Sequence, residues 1–184
     1  MNREELLKEI VELELDMFNH VRTSEPARCK ENPETFRSMR SMTHSVLSTE
    51  TLGSYLSDLH NARDEGRNLL TLKYARIDRQ IPPIKENPAI EIIATVEERW
   101  MKELAERYSR VIKGGPAFRV YLASELETYS DGTLDLYLRD VLEAEKDGRN
   151  LAKERFDWLF ERIGYGSIDE AERKASQAEL NGGD

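Results

Sequence analysis

The second half of this chain restates the first at a shift of 82 residues, and this constrains the fold more than any single motif. Between Thr51 to Ala75 and Thr133 to Asp157 ten positions are identical, among them Tyr55/Tyr137, Leu56/Leu138, Asp58/Asp140 and the run Gly66-Arg67-Asn68-Leu69 against Gly148-Arg149-Asn150-Leu151. Upstream, the same shift aligns Phe36-Arg37 with Phe118-Arg119 and Glu9-Ile10 with Glu91-Ile92 without a gap. A repeat of this length implies two copies of one helical unit around a pseudo-twofold axis. It specifies architecture and the place where a site would sit, but no reaction.

A chain of 184 residues fits one domain and is long enough to bury a sizeable core. With 39% hydrophobic and 34% charged residues, the composition is that of a helix-rich globule rather than a disordered chain. The net charge of -9 repels phosphate backbones and anionic lipid, so neither nucleic acid nor a membrane is an expected partner. The opening MNREELLKEI lacks the layout of a secretory signal, and no apolar run is long enough to span a bilayer. The single cysteine, Cys29, permits no internal disulfide and predicts a cytoplasmic, reducing location.

Helical periodicity dominates. It predicts helices over about 2–22, from Pro33 (capped by Asn32) to about Leu47, and from Ser48 or Thr49 to about Ile77. After a proline-rich linker come helices from Pro88 to before Gly114-Gly115-Pro116, over about 117–129, and from about Thr133 to Ile163. Ser167-Ile168-Asp169-Glu170 reads as a capping box opening a short tail helix, polar on most sides and expected to be solvated or frayed.

Placing each helix at 100° per residue puts several charges among apolar neighbours. Glu14 falls within the arc of Ile10, Val11, Met17 and Phe18, and Glu103 within that of Ala89, Ile92, Val96 and Trp100. Arg40, Glu125, Arg63 and Glu145 occupy comparable positions, and Tyr55 and Tyr137 lie on the same inward stripes as the last two. Charges are rarely buried without partners. One reading is therefore that Arg40 with Glu125, and Arg63 with Glu145, lock the halves together. The other is that the remaining carboxylates, Glu14 and Glu103, bind a ligand or carry acid–base chemistry.

Gly66 and Gly148 read as mid-helix glycines, at a local bend or a close helix approach. Beside them Arg67 and Arg149 either pair with a nearby acid or cradle an anionic ligand. No Glu-x-x-His motif accompanies the inward acids, so a carboxylate-bridged metal centre is not expected. Cys29, between Arg28 and Lys30 and ahead of a helix N-terminus, has surroundings that favour thiolate and is a candidate nucleophile beside its plainer reading as a loop cysteine. No phosphate-binding loop, dinucleotide fingerprint or nucleophile elbow is present, and no cofactor is indicated.

Several segments in order are Glu14-Leu15-Asp16-Met17-Phe18, Cys29 before Asn32-Pro33, Phe36-x-x-Met39-Arg40, Ser54-Tyr55-Leu56-x-Asp58, Gly66-Arg67-Asn68-Leu69 and Tyr121-Leu122-x-x-Glu125-Leu126. Together they resemble the bacterial and archaeal family called domain of unknown function 4125, over roughly residues 2–163. The chain departs from that pattern at Thr43-His44 and Leu47. The resemblance implies no activity, but it raises the standing of Glu14, Cys29, Arg40, Arg67 and Glu125 as a set.

The sequence thus predicts an all-α, internally duplicated bundle of two three-helix units. The domain spans 1–166, with copy one over 2–80, copy two over 84–163 and a tail over 167–184. Its expected role is small-molecule binding or catalysis between the repeats. Glu14, Glu125 and Cys29 are the candidate catalytic groups, and Arg40, Arg67, Arg149, Glu103, Tyr55 and Tyr137 the candidate ligand-binding groups. The alternative is a non-catalytic interaction module or homodimeric accessory subunit held by structural ion pairs.

Overall fold

The computed structural model describes residues 1–21 and 32–181, which carry nine α-helices and no strand. They are α1 (Arg3–Asn19), α2 (Pro33–His44), α3 (Thr49–Asp64), α4 (Leu69–Ile77), α5 (Pro88–Arg107), α6 (Phe118–Leu126), α7 (Asp131–Lys146), α8 (Leu151–Arg162) and α9 (Ile168–Asn181). Side-chain caps fix most of the starts. Asn2 and Glu5 form a reciprocal capping box, Asn32 and Asn87 each precede a proline at the first helical position, and Ser48 and Ser130 cap α3 and α7.

The long helices predicted over 49–77 and 133–163 are each broken in two, and the Gly-Arg-Asn-Leu run is the reason. Gly66 and Gly148 adopt φ of 68° and 67°, which a residue with a Cβ adopts only under strain. At the first, the Arg67 amide donates to the Ala62 carbonyl and the Gly66 amide to that of Arg63; at the second, Arg149 donates to Ala144 and Gly148 to Glu145. This is the Schellman arrangement that closes a helix. The next residue restarts the chain: the Asn68 and Asn150 side chains accept from the amides of Thr71 and Lys153. Leu69 and Leu151 then bury at the head of the new helix. A stop, a start and an anchor are written in four residues, so each half contains four helices rather than three.

The helices of the two halves interlock. α1 packs on α2 and α3, and α5 on α6, α7 and α8. The bridging contacts are α3 on α7, α4 on α6 and α2 on α8. Leu52, Leu59, Leu134 and Val141 are fully buried on α3 and α7. Polar contacts recur there in reciprocal pairs. The Ser48 amide donates to Asp140 on α7 and the Ser130 amide to Asp58 on α3, both at 2.9 Å. Arg3 and Lys85 likewise donate to the carbonyls just ahead of those serines, at Leu47 and Tyr129.

Two sequence expectations need correction. On α5 the buried face is Ala89, Ile93, Val96, Glu97, Trp100 and Leu104, while Ile92 is 42% exposed and Glu103 points to solvent. The tail is docked rather than frayed. Ile168 and Ala171 of α9 are buried, the Ile168 amide donates to Asp157, and Asp169 accepts from the Tyr108 hydroxyl at 2.8 Å. An exposed polar face coexists with one apolar anchor, which is enough to seat a short helix on α8.

Candidate functional site

Five helices and the turn after the last of them converge on a buried ionic cluster. α1 supplies Glu14, α2 supplies Arg40 and His44, α3 supplies Tyr55, α4 supplies Lys73, α6 supplies Glu125, and Tyr129 follows just after it. Arg40 sits at the centre. Its Nε and Nη2 donate to Glu14 at 2.8 and 2.6 Å, and its Nη1 and Nη2 to Glu125 at 3.2 and 2.6 Å. Lys73 donates to Glu125, the Tyr55 hydroxyl to Glu14 at 2.8 Å, and the Tyr129 hydroxyl to Glu125 at 3.0 Å. The two tyrosine rings stack with centroids 4.3 Å apart.

The charges hold one another in place. Burial pushes the Glu14 carboxyl up, but the Arg40 charge and the hydrogen bonds from Arg40 and His44 outweigh it and bring its pKa down to about 2. Burial opposes ionisation of Glu125 as well, yet Arg40 and Lys73 hold it well below the ordinary carboxylate range. Burial and the neighbouring carboxylates push the Tyr55 and Tyr129 hydroxyls well up, so both remain donors. The buried His44 Nε2 lies 3.0 Å from Glu14 and 3.1 Å from the Arg40 Nη2. An ionised Glu14 and a guanidinium allow one arrangement: Nε2–H donates to Glu14. Nδ1 is buried without a hydrogen-bond partner among the described residues.

A second, smaller cluster stands beside the first. Arg155 on α8 grips Glu97 on α5 with both terminal nitrogens, the Tyr137 hydroxyl donates to Glu97 at 3.0 Å, and the Arg155 Nε donates to the Thr43 carbonyl at 3.1 Å. The last bond ties α8 to the end of α2. Burial opposes the Arg155 charge, but Glu97 and Tyr137 more than compensate and raise its pKa. Both clusters border one cleft of about 350 Å³. Its charged lining comes from Arg40, Lys73, Glu125, Glu97 and Arg155, and its apolar walls include Met39, Met42, Met101, Phe118, Tyr121 and Phe156.

The structure brings together Glu14, Arg40, Glu125 and Tyr55 as a set, and places Tyr137 in the adjacent cluster. Other expected groups lie elsewhere. Arg63 is exposed beside Asp64, and Glu103 is exposed beside Arg99. Glu145 pairs with Arg99 at the surface instead of meeting Arg63. Arg67 and Arg149 are exposed and pair with Glu65 and Glu154, because the position after a Schellman glycine turns outward here. Each lines a separate cleft, not the central one. Cys29 lies outside the described residues. The groups missed by sequence reading are His44, Lys73, Glu97, Tyr129 and Arg155. His44 stands one turn after Arg40 on α2, a signal that was available. Lys73 and Arg155 stand 82 positions apart, a signal the repeat itself carried.

Glu14, His44 and Glu125 offer ligand-type atoms within 4.8 Å of one another, a spacing that suits a divalent cation. The Arg40 guanidinium lies among them, and Arg40 and Lys73 already supply the charge that a metal would bring. The His44 Nδ1 also lacks the outer acceptor that orients metal-bound imidazoles. The donor set suits a guanidinium.

The fold and the site define an all-helical protein built around buried, paired carboxylates. The chain belongs to the family described as Protein of unknown function (DUF4125), which it matches over residues 4–173. No curated protein and no solved structure matches it.

Proposed function

We propose that this protein binds a small molecule in the cleft among α2, α5, α6 and α8. The observation that carries this reading is the cleft itself, with apolar walls and a charged lining drawn from both buried clusters. Sites for small molecules commonly combine an apolar enclosure with a few fixed polar groups. Glu14 and Glu125 act as positioning residues that hold Arg40. Their carboxyls are held far below neutrality, which suits fixed charge better than proton transfer near pH 7.

We also read the chain as a duplication, with copies over 2–80 and 84–163, in one cytoplasmic domain. The paired caps, the two glycine stops and the reciprocal serine–aspartate contacts support it, since a twofold relation makes every contact between unlike positions occur twice. On that reading the central cleft lies at the axis, where Lys73 and Arg155 are equivalent positions.

The competing reading, a protein-interaction module or homodimer, is favoured by one observation: Met39, Val120 and Tyr121 are 44%, 48% and 46% exposed. Native mass spectrometry of the purified protein, set against its denatured mass, separates the two. A small molecule that co-purifies and is lost in Leu122→Trp, which fills the cleft, is the outcome expected here. A bare dimer would favour the interaction module.

A further inference from the structure

We propose that the ligand of the central cleft is a monocarboxylate with an apolar body. This rests on the reading of the cleft as a binding site and adds the chemistry of its occupant. The lining is rich in unused donors. Among the described residues, the Lys73 ammonium has one acceptor, Glu125, and keeps two N–H groups. Arg40 Nη1 and Arg155 Nη1 each make one hydrogen bond and keep one N–H apiece.

The carboxylates of the lining are better satisfied. Glu125 Oε1 accepts from Arg40 and Tyr129, and Oε2 from Arg40 and Lys73. Glu97 Oε1 accepts from Arg155 and Tyr137, and Oε2 from Arg155. An ammonium ligand would find one open acceptor position, on Glu97 Oε2, whereas a carboxylate would meet four hydrogens that have no acceptor among the described residues. The charge balance limits the anion to a small one. Three cations (Arg40, Lys73, Arg155) face three carboxylates (Glu14, Glu125, Glu97), so one added negative charge is tolerable and a phosphate dianion is not favoured. Thioether and aromatic walls at Met39, Met42, Met101, Phe118 and Tyr121 take the apolar body.

The test uses the full-length protein labelled at its methionine methyl groups, since Met39, Met42 and Met101 line the cleft. Methyl spectra are followed while 3-phenylpropanoate, octanoate, 3-phenylpropanamide, 3-phenylpropylamine and inorganic phosphate are titrated. Saturable shifts at the three methyl groups are expected with both carboxylates, with affinity about tenfold or more above that for the amide and the amine. Lys73→Met should weaken the carboxylates about tenfold and leave the amide unaltered, while Lys73→Arg should retain them. The methyl spectrum of each variant reports whether it is folded. Binding of the amine, the amide or phosphate at least as tight as the carboxylates overturns the ligand class and leaves the site standing. No shift with any probe overturns both.

Discussion

Arg40 donates to Glu125 at 2.6 Å and by that bond joins α2 to α6 across 85 residues of sequence. The same guanidinium holds Glu14, so removing it leaves Glu14 buried without a cation and Glu125 with Lys73 alone. Arg40→Met should cost about 3–5 kcal/mol in urea denaturation. Adding Glu14→Gln to it should restore part of the loss, because the stranded charge is then gone. A loss below about 1 kcal/mol would mean that the remaining donors suffice.

Acid should undo the same cluster, in a definite window. The Glu14 carboxyl titrates near 4.5 in the unfolded chain and near 2 in the folded protein. Between those values unfolding takes up a proton. The stability that Glu14 contributes is therefore complete above about pH 5 and is lost as pH falls towards 2. Urea midpoints measured from pH 6 to pH 3 should fall, and the fall should be shallower in Glu14→Gln. Identical slopes in the two proteins would place the acid sensitivity elsewhere.

Gly66 and Gly148 offer a matched pair. A Cβ built at either meets no atom within 4 Å, so substitution is penalised by backbone conformation alone. Gly66→Ala and Gly148→Ala should each cost about 1–2 kcal/mol in thermal melts. Their effects should add within about 0.5 kcal/mol.

The two aspartates that bind the serine caps should differ. Asp140 is buried and accepts from the Ser48 amide and, at 2.6 Å, from the fully buried Thr51 hydroxyl. Asp58 accepts from the amide of the exposed Ser130. Asp140→Ala should cost about 1–3 kcal/mol, because a buried hydroxyl loses its acceptor. Asp58→Ala should cost less than half as much, since water can replace it at Ser130. Equal losses would contradict this assignment.

Much of the cluster was legible because its acids and base interrupt clear apolar stripes. Glu14 stands among Ile10, Val11, Met17 and Phe18, all buried. Glu97 was not legible, for a reason of register. The gapless repeat sets Glu14 against Val96, yet the interactions of Glu14 with Tyr55 are matched by those of Glu97 with Tyr137. The burial of Ile93 in place of Ile92 moves the α5 face by one position, and a helix wheel anchored on Ile92 carries the error on to Glu103. Arg63 and Glu145 lie in the last turns of α3 and α7, just ahead of the glycine stops. The breaks follow from positive φ at a glycine, which helical periodicity does not register.

The packing of α4 on α6 and of α8 on α2 has a consequence for synthesis. Until α6 has been synthesised, α4 has nothing there to cover and Lys73 has no Glu125 to meet. The nascent first half is an unfinished surface, and it is closed only when α6, α7 and α8 arrive to cover α4, α3 and α2.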